Sequence, residues 1–218
     1  MKSRFFEELA DRQPELAPCA EPLIRAATLA AAAIESGGKL LVCGNGGSAA
    51  DALHIAGELG KGFISRRPLS ARVKEKLKNA CPALSPDMLE KLQWGLPVVP
   101  LLGSDSLFTA VANDTDAELV FAQQLYALGM PGDVLFAIST SGNAKHVVAA
   151  AALARGMGIS VIALSGLGGG RLGTLADVKI LVPAIEPFRV QELHVPVYHA
   201  FCAALEEHFE SLGWGDRL

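Results

Sequence analysis

Residues 41–58 read LVCGNGGSAADALHIAGE, and the fold is decided there. An apolar run, Lys39-Leu40-Leu41-Val42-Cys43, stops at Gly44-Asn45-Gly46-Gly47-Ser48, and a helical stretch opens with Ala49-Ala50-Asp51. Strand, glycine-rich turn and helix start, in that order, aim free backbone N–H groups and the positive end of a helix dipole at one spot. That is the environment an anion prefers. On the new helix His54 and Glu58 lie four residues apart and so share a face. A phosphate cradle followed by an imidazole–carboxylate pair points to chemistry on a phosphorylated small molecule.

Outward from this stretch, the pattern alternates. Residues 3–13 and 20–36 read as helices, the second Ala-rich, with Pro22 near its start and Gly37-Gly38 as its stop. The run 97–102 is a weak strand because two prolines interrupt its hydrogen bonding. Helix character at 115–129 gives way to Val134–Ile138, an apolar run of the kind that forms a buried parallel strand. Ser139-Thr140-Ser141-Gly142-Asn143 then feeds an Ala-rich helix, 144–155. Ser160–Leu164 follows as a strand, a Gly-rich loop (165–173) leads to a short segment, Val178–Val182, and a long helix closes the chain from 187 to 211. The expected fold is α/β, a three-layer doubly wound parallel sheet of the flavodoxin/Rossmann-like kind, with ligands at the strands' carboxyl ends. Residues 1–218 read as a single domain. Within it, 64–95 form a more charged helical insertion, with Ser85 as N-cap and Pro86 at the first helical position. Its basic residues Arg66, Arg67, Arg72 and Lys74 are expected to border a neighbouring subunit's pocket.

With 50% apolar and 19% charged residues, the chain can bury a full core. A net charge of −4 argues against a nucleic-acid binder. The N-terminus carries no signal peptide, and no window is expected to span a membrane. Four dispersed cysteines without a CxxC pair fit a thiol-reduced, cytoplasmic protein.

The turn GNGGS is neither a dinucleotide fingerprint, which needs glycine at Ala49, nor a Walker loop, which needs a following Gly-Lys-Ser/Thr. STSGN offers three hydroxyls at a helix mouth, more than helix capping alone requires. Near the C-terminus Gln191, His194 and His199 interrupt an apolar helix. Each reads equally as a surface or core hydrogen-bonding residue. With His54 and Glu58, Gln191 and His199 also make a donor set suited to zinc or a similar divalent ion.

GNGGSAADALHIAGEL, the Ala-Asn-Asp of 112–114, GDVLFAISTSGN and QELHVPVYH together resemble the sugar isomerase (SIS) domain, and within it the phosphoheptose isomerases. The resemblance covers 1–63 and 97–210. It implies conversion of sedoheptulose 7-phosphate into D-glycero-D-manno-heptose 7-phosphate, a step toward the heptose of bacterial surface polysaccharide. A homotetramer with sites between subunits and a bound zinc are also implied. By position it puts substrate contacts on Asn45, Gly46, Gly47, Ser48, Asn113, Asp114, Ser139, Thr140, Ser141 and Gln191. It puts metal ligands on His54, Glu58, Gln191 and His199. Glu58 and His199 are then the acid–base residues of an enediol proton transfer. The chain departs from the family at Ala144 (commonly Ser), Gly62 (commonly Arg, here with Lys61 beside it), Phe188 (often Asp) and Pro196 inside the last helix. These departures keep two other readings open. One is an isomerase or binding protein for a different phosphosugar. The other is a non-catalytic SIS protein that associates with the replication initiator.

Overall fold

Strand residues of alternating direction divide the interior into two cores. Leu40, Val42, Val134, Phe136, Ile138, Ile162 and Leu164 pack on one side; Leu41, Cys43, Leu135, Ala137, Val161 and Ala163 pack on the other. The computed structural model describes residues 1–102 and 104–217. Its strands are β1 (Leu40–Cys43), β2 (Val98–Pro100), β3 (Val134–Ser139), β4 (Ser160–Ser165) and β5 (Val178–Leu181). They form one parallel sheet in the order β2-β1-β3-β4-β5. β3 is buried along its whole length, as a strand apolar on both faces must be.

The first core is closed by α1 (Arg4–Arg12), α2 (Ala20–Glu35), α3 (Gly47–Gly60) and the long C-terminal helix, Pro187–Ser211. α2 belongs to a continuous helical stretch of 22 residues, Pro14–Glu35, whose most apolar 18-residue window has a mean hydropathy of 1.2, enough by length and composition alone to cross a membrane. Here its apolar stripe of Leu23, Ala26, Ala27, Ala30, Ala31 and Ile34 lies buried against the sheet.

Between β1 and β2 come α4 (Ala71–Ala80) and α5 (Pro86–Lys91), capped by the Ser70 and Ser85 hydroxyls, which accept from Val73 N at 3.2 Å and Met88 N at 3.1 Å. Val73 and Leu89 are their buried anchors. Of the basic residues expected to border a neighbouring pocket, Arg67 is instead buried within its own chain. Arg66 donates to Glu90 O, Arg72 to Asp216 O and Lys74 to the Glu90 carboxylate, while Arg67 is buried in an ion pair with Glu206 at 3.0 Å. All four are engaged within their own chain.

The second core is closed by α6 (Asp105–Val111), α7 (Val120–Leu128), α8 (Lys145–Gly156) and α9 (Gly170–Leu175), so the C-terminal helix is α10. The expected helix at 115–129 is corrected. A helix starts earlier, where the Ser104 hydroxyl caps Leu107 N, runs into a π turn at Ala112–Asp116 and restarts after Asp116. Asp116 is extended and caps Glu118 N at 2.8 Å, which breaks the helical hydrogen bonding at that point. β2 is short and lies at the sheet edge, the one place its Pro100 costs no ladder bond.

Candidate active site

α3 starts in the turn at the carboxyl end of β1, and its residues Asp51, His54 and Glu58 project toward α10. The two helices run alongside each other in the same direction: Gln191 meets the start of α3, and Tyr198 and His199 meet His54. The Gln191 amide rests on the α-carbon of Gly47, so closely that a β-carbon there would overlap it. Only glycine at 47 admits that contact.

Around His54 the polar groups converge. Its Nε2 lies 3.0 Å from Glu58 Oε1 and its Nδ1 lies 2.9 Å from the Tyr198 hydroxyl. The His199 ring stands edge-on to His54 with ring centres 5.0 Å apart, and its Nε2 is buried without a hydrogen-bond partner. Burial, helped by nearby His54, holds the His199 ring below the usual imidazole range, against the opposing pull of Glu58. The shift favours the neutral ring, whose Nε2 has no partner. Asp51 is buried, and burial raises its carboxyl although Tyr198 and His54 pull the other way. Glu58 Oε2 has Lys61 Nζ 3.7 Å away, beside Gly62. A cavity of about 530 Å³ opens beside His199, with Phe63, Ile64 and Pro196 on its walls and Glu8 and Arg12 of α1 at its edge. α10 continues unbroken through Pro196.

At the carboxyl end of β3 the STSGN turn is held by Gly142, whose φ of +66° lets its N–H reach Ser139 O at 3.0 Å while its α-carbon packs on Gly169. The Ser141 hydroxyl accepts from Asn143 N at 3.2 Å, and Asn143 Oδ1 accepts from Arg171 N at 3.0 Å. Ser139 is buried and Ser141 exposed. Ala144 is the N-cap of α8 and has no side chain to cap with, so the first-turn N–H groups of α8 keep their capacity for an outside acceptor. The two turns are tied together: Asn45 Nδ2 lies 3.3 Å from His146 Nδ1. Asn113 and Asp114 sit exposed in the π turn and bond each other at 2.8 Å. Among the described residues no hydrogen bond joins them to either turn or to the α3–α10 crossing.

Of the anticipated metal ligands, His54, Glu58 and His199 are brought together, while the Gln191 amide lies toward the start of α3. Among the described residues, no three His, Cys, Asp or Glu side chains are arranged to hold a metal ion. The donor types and the free nitrogen of His199 nevertheless match a zinc-type ion. Two residues escaped the sequence reading. Tyr198 and Asp51 became recognisable only once α10 was laid along α3; the i,i+3 spacing of Asp51 and His54 was the signal within α3.

The SIS domain family matches residues 4–92 and 95–166. The chain is 37% identical over 203 residues to a phosphoheptose isomerase of Rhodospirillum rubrum, covering 93% of this chain and 94% of that one. It is 40% identical over 210 residues to one of Azoarcus sp., covering 94% and 92%. The chain belongs to the phosphoheptose isomerase family of SIS-domain enzymes. Among solved structures, the phosphoheptose isomerase GmhA from Neisseria gonorrhoeae superposes with a TM-score of 0.72 at 34% identity, covering 94% of this chain and 95% of that one.

Proposed function

We propose that this chain converts sedoheptulose 7-phosphate into D-glycero-D-manno-heptose 7-phosphate by moving a proton between neighbouring carbons through an enediol. The observation that carries the reading is the pairing of Glu58 with His54 at 3.0 Å beside the unpartnered Nε2 of His199. An aldose–ketose isomerase needs a group that removes a proton from one carbon and a second group that protonates and deprotonates the neighbouring oxygen or carbon. Glu58, four residues past His54 and open to the surface on one side, is the base. His199, neutral and buried on one face, is the acid–base partner.

The phosphate is assigned to the STSGN turn and the start of α8, where Ser139, Thr140 and Ser141 surround free backbone N–H groups. Asn45, Gly46, Gly47 and Ser48 of the first turn, with Gln191 against Gly47, are assigned to the sugar hydroxyls. Asn113 and Asp114, exposed in the single chain, are assigned to a site completed between subunits of a homotetramer. His54, Glu58 and His199, with Gln191 as the fourth donor, would hold the zinc. When bound it supplies Lewis-acid polarisation of the sugar carbonyl. The enzyme is assigned to the cytoplasm, where its phosphorylated substrate is made.

A second reading, an isomerase of another phosphosugar, draws on the uncapped Ala144 and on Phe188, which is 61% exposed on the first turn of α10 three residues before Gln191. A scaffold role is disfavoured because it has no use for the His54, Glu58 and His199 cluster. Zinc content and turnover of sedoheptulose 7-phosphate, against a panel of other ketose phosphates, test the assignment. Turnover of another member of the panel alone would select the second reading, and no turnover with any member would leave the scaffold.

A further inference from the structure

Two turns that leave neighbouring strands are bridged by a side-chain contact. β1 and β3 are paired with Cys43 in register with Ala137, so the GNGGS and STSGN turns emerge side by side at the carboxyl end of the sheet. Across the gap Asn45 Nδ2 lies 3.3 Å from Nδ1 of His146, which belongs to the first turn of α8. The atoms themselves fix the roles. An amide nitrogen can only donate, so His146 Nδ1 is the acceptor, and a neutral ring then carries its proton on Nε2. Phe121, buried on α7, stands edge-on to the His146 ring with centres 6.3 Å apart and limits its rotation. The amide is fixed in turn. With Nδ2 committed to His146, Asn45 Oδ1 faces the other way, and among the described residues it has no hydrogen-bond partner. Asn45 is half-buried while Gly46 and Gly47 beside it are exposed, so the turn is open next to that oxygen.

We propose that His146 is a positioning residue for substrate: its bare Nδ1 holds the Asn45 amide by Nδ2, so that Asn45 Oδ1 is presented to a hydroxyl of the sugar while the phosphate rests on the adjoining turn. The inference rests on the assignment of the GNGGS turn to the sugar and of the STSGN turn to the phosphate. Its chemistry is selective. A free amide can flip and offer either a donor or an acceptor. A latched one offers an acceptor alone, which favours a hydroxyl over a carbonyl or ether oxygen at that position. A site built to pair with a hydroxyl also discriminates against the analogue that lacks it. The latch ties the turn after β1 to the helix after β3, and so holds the sugar and phosphate subsites at a fixed spacing.

The test uses the full-length, zinc-loaded protein with sedoheptulose 7-phosphate and reads kcat and KM separately. Asparagine carries Oδ1 on the γ-carbon that carries Nδ1 in histidine, so His146→Asn keeps the acceptor and His146→Leu removes it. His146→Leu should raise KM about 3–10-fold, the range of one orienting hydrogen bond, with kcat within about twofold of the parent. His146→Asn should restore most of the lost binding. Asn45→Ala with His146→Leu should cost no more than Asn45→Ala alone, because the latch acts only through that amide. In the ¹⁵N-labelled wild type the His146 ring, assigned by comparison with His146→Asn, should show the Nε2–H tautomer. If His146→Leu does not fold, His146→Phe, which keeps a ring and removes the acceptor, replaces it. An unchanged KM in His146→Leu, equal losses in His146→Leu and His146→Asn, additive losses in the double variant, or an Nδ1–H tautomer overturns the proposal. A wild type that turns over no sugar phosphate overturns the functional reading, and the His146 tautomer then decides the latch by itself. Normal turnover with an Nδ1–H tautomer overturns the latch and leaves the function.

Discussion

Two acid–base clusters sit at α3, and they are built on opposite lines. At its C-terminal end, Glu206 accepts from the amides of Phe63, Ile64 and Ser65 at 2.7–3.2 Å and from Arg67 Nε at 3.0 Å. Arg67 in turn donates to Leu59 O at 2.9 Å and Glu58 O at 3.4 Å and stacks on Trp94. Burial raises the Glu206 carboxyl, but Arg67 and the amides outweigh it and hold the group below its usual value. Along the side of the same helix, His54 and Glu58 share one contact, His199 Nε2 has none, and Asp51 Oδ2 has none. A saturated cluster has nothing left to offer a ligand and serves the fold. An unsaturated one keeps donors and acceptors that a ligand can use. The saturated cluster also grips the carbonyls of Glu58 and Leu59, so the fold's pin fixes the backbone from which Glu58, the proposed base, projects.

The sharpest way to break this contrast is to exchange the phenotypes. Glu58→Gln should lower kcat about 10²–10⁴-fold, with a melting temperature close to that of the parent, because the amide keeps the shape of the side chain. A large loss of stability with activity retained would place Glu58 with the structural cluster. Arg67→Met should do the reverse in kind, costing about 3–5 kcal/mol because Glu206 is left charged and unpaired. Denaturant unfolding measures it, and a change below about 1 kcal/mol would show that the pin is not needed.

The contrast explains what was legible in the sequence. β1, β3 and β4 were readable as apolar runs ended by Gly/Ser turns, and α10 by its length and apolar pattern. The pairing of His54 with Glu58 was readable because both lie on one helix. Arg67 was misread as a residue for a neighbour, since a basic residue in a charged segment gives no sign that it will be buried against Glu206, 139 positions away. Tyr198 was missed for the same reason: its partner His54 lies on another helix. The π turn at 112–116 depends on Asp116 competing for backbone donors, a local contest that periodicity does not register. Pro196 sits inside α10, which runs on through it. Cys43 and Cys202 were read as buried hydrophobes and are fully buried, with the Cys43 thiol pushed up to about 12.

A third way to sharpen the contrast uses a buried base that belongs to neither cluster. His194 is fully buried, and burial pushes its ring down to about 4 despite a weaker opposing influence from the Ser165 backbone. Its ring nitrogens lack a well-formed hydrogen bond, so that opposing influence is slight. A base whose folded-state pKa is lowered contributes stability that is present above its unfolded pKa of about 6.5 and is lost as pH falls toward 4. The loss between pH 7 and pH 4 is about 3 kcal/mol. Unfolding at a series of pH values should show that slope, flattened in His194→Leu; an identical slope in the variant would assign the acid sensitivity elsewhere.

The smallest effects are expected at the phosphate turn. Ser141→Ala should raise KM several-fold and leave kcat nearly unchanged, since a remote phosphate contact binds substrate and transition state alike. Ala144→Ser, which places a hydroxyl beside the first-turn N–H groups of α8 that can donate to the phosphate, should lower KM. Equal falls in kcat and kcat/KM for Ser141→Ala would move that hydroxyl from binding to the chemistry.

The most direct test is to incubate zinc-loaded protein with sedoheptulose 7-phosphate in D₂O and follow the sugar by NMR. An enediol mechanism with Glu58 exchanging its proton with solvent predicts a new aldose 7-phosphate carrying deuterium at C2, formed by the wild type and not by Glu58→Gln. No aldose from the zinc-loaded wild type, or the same yield from Glu58→Gln, would contradict the assignment of the α3–α10 crossing as the isomerase site.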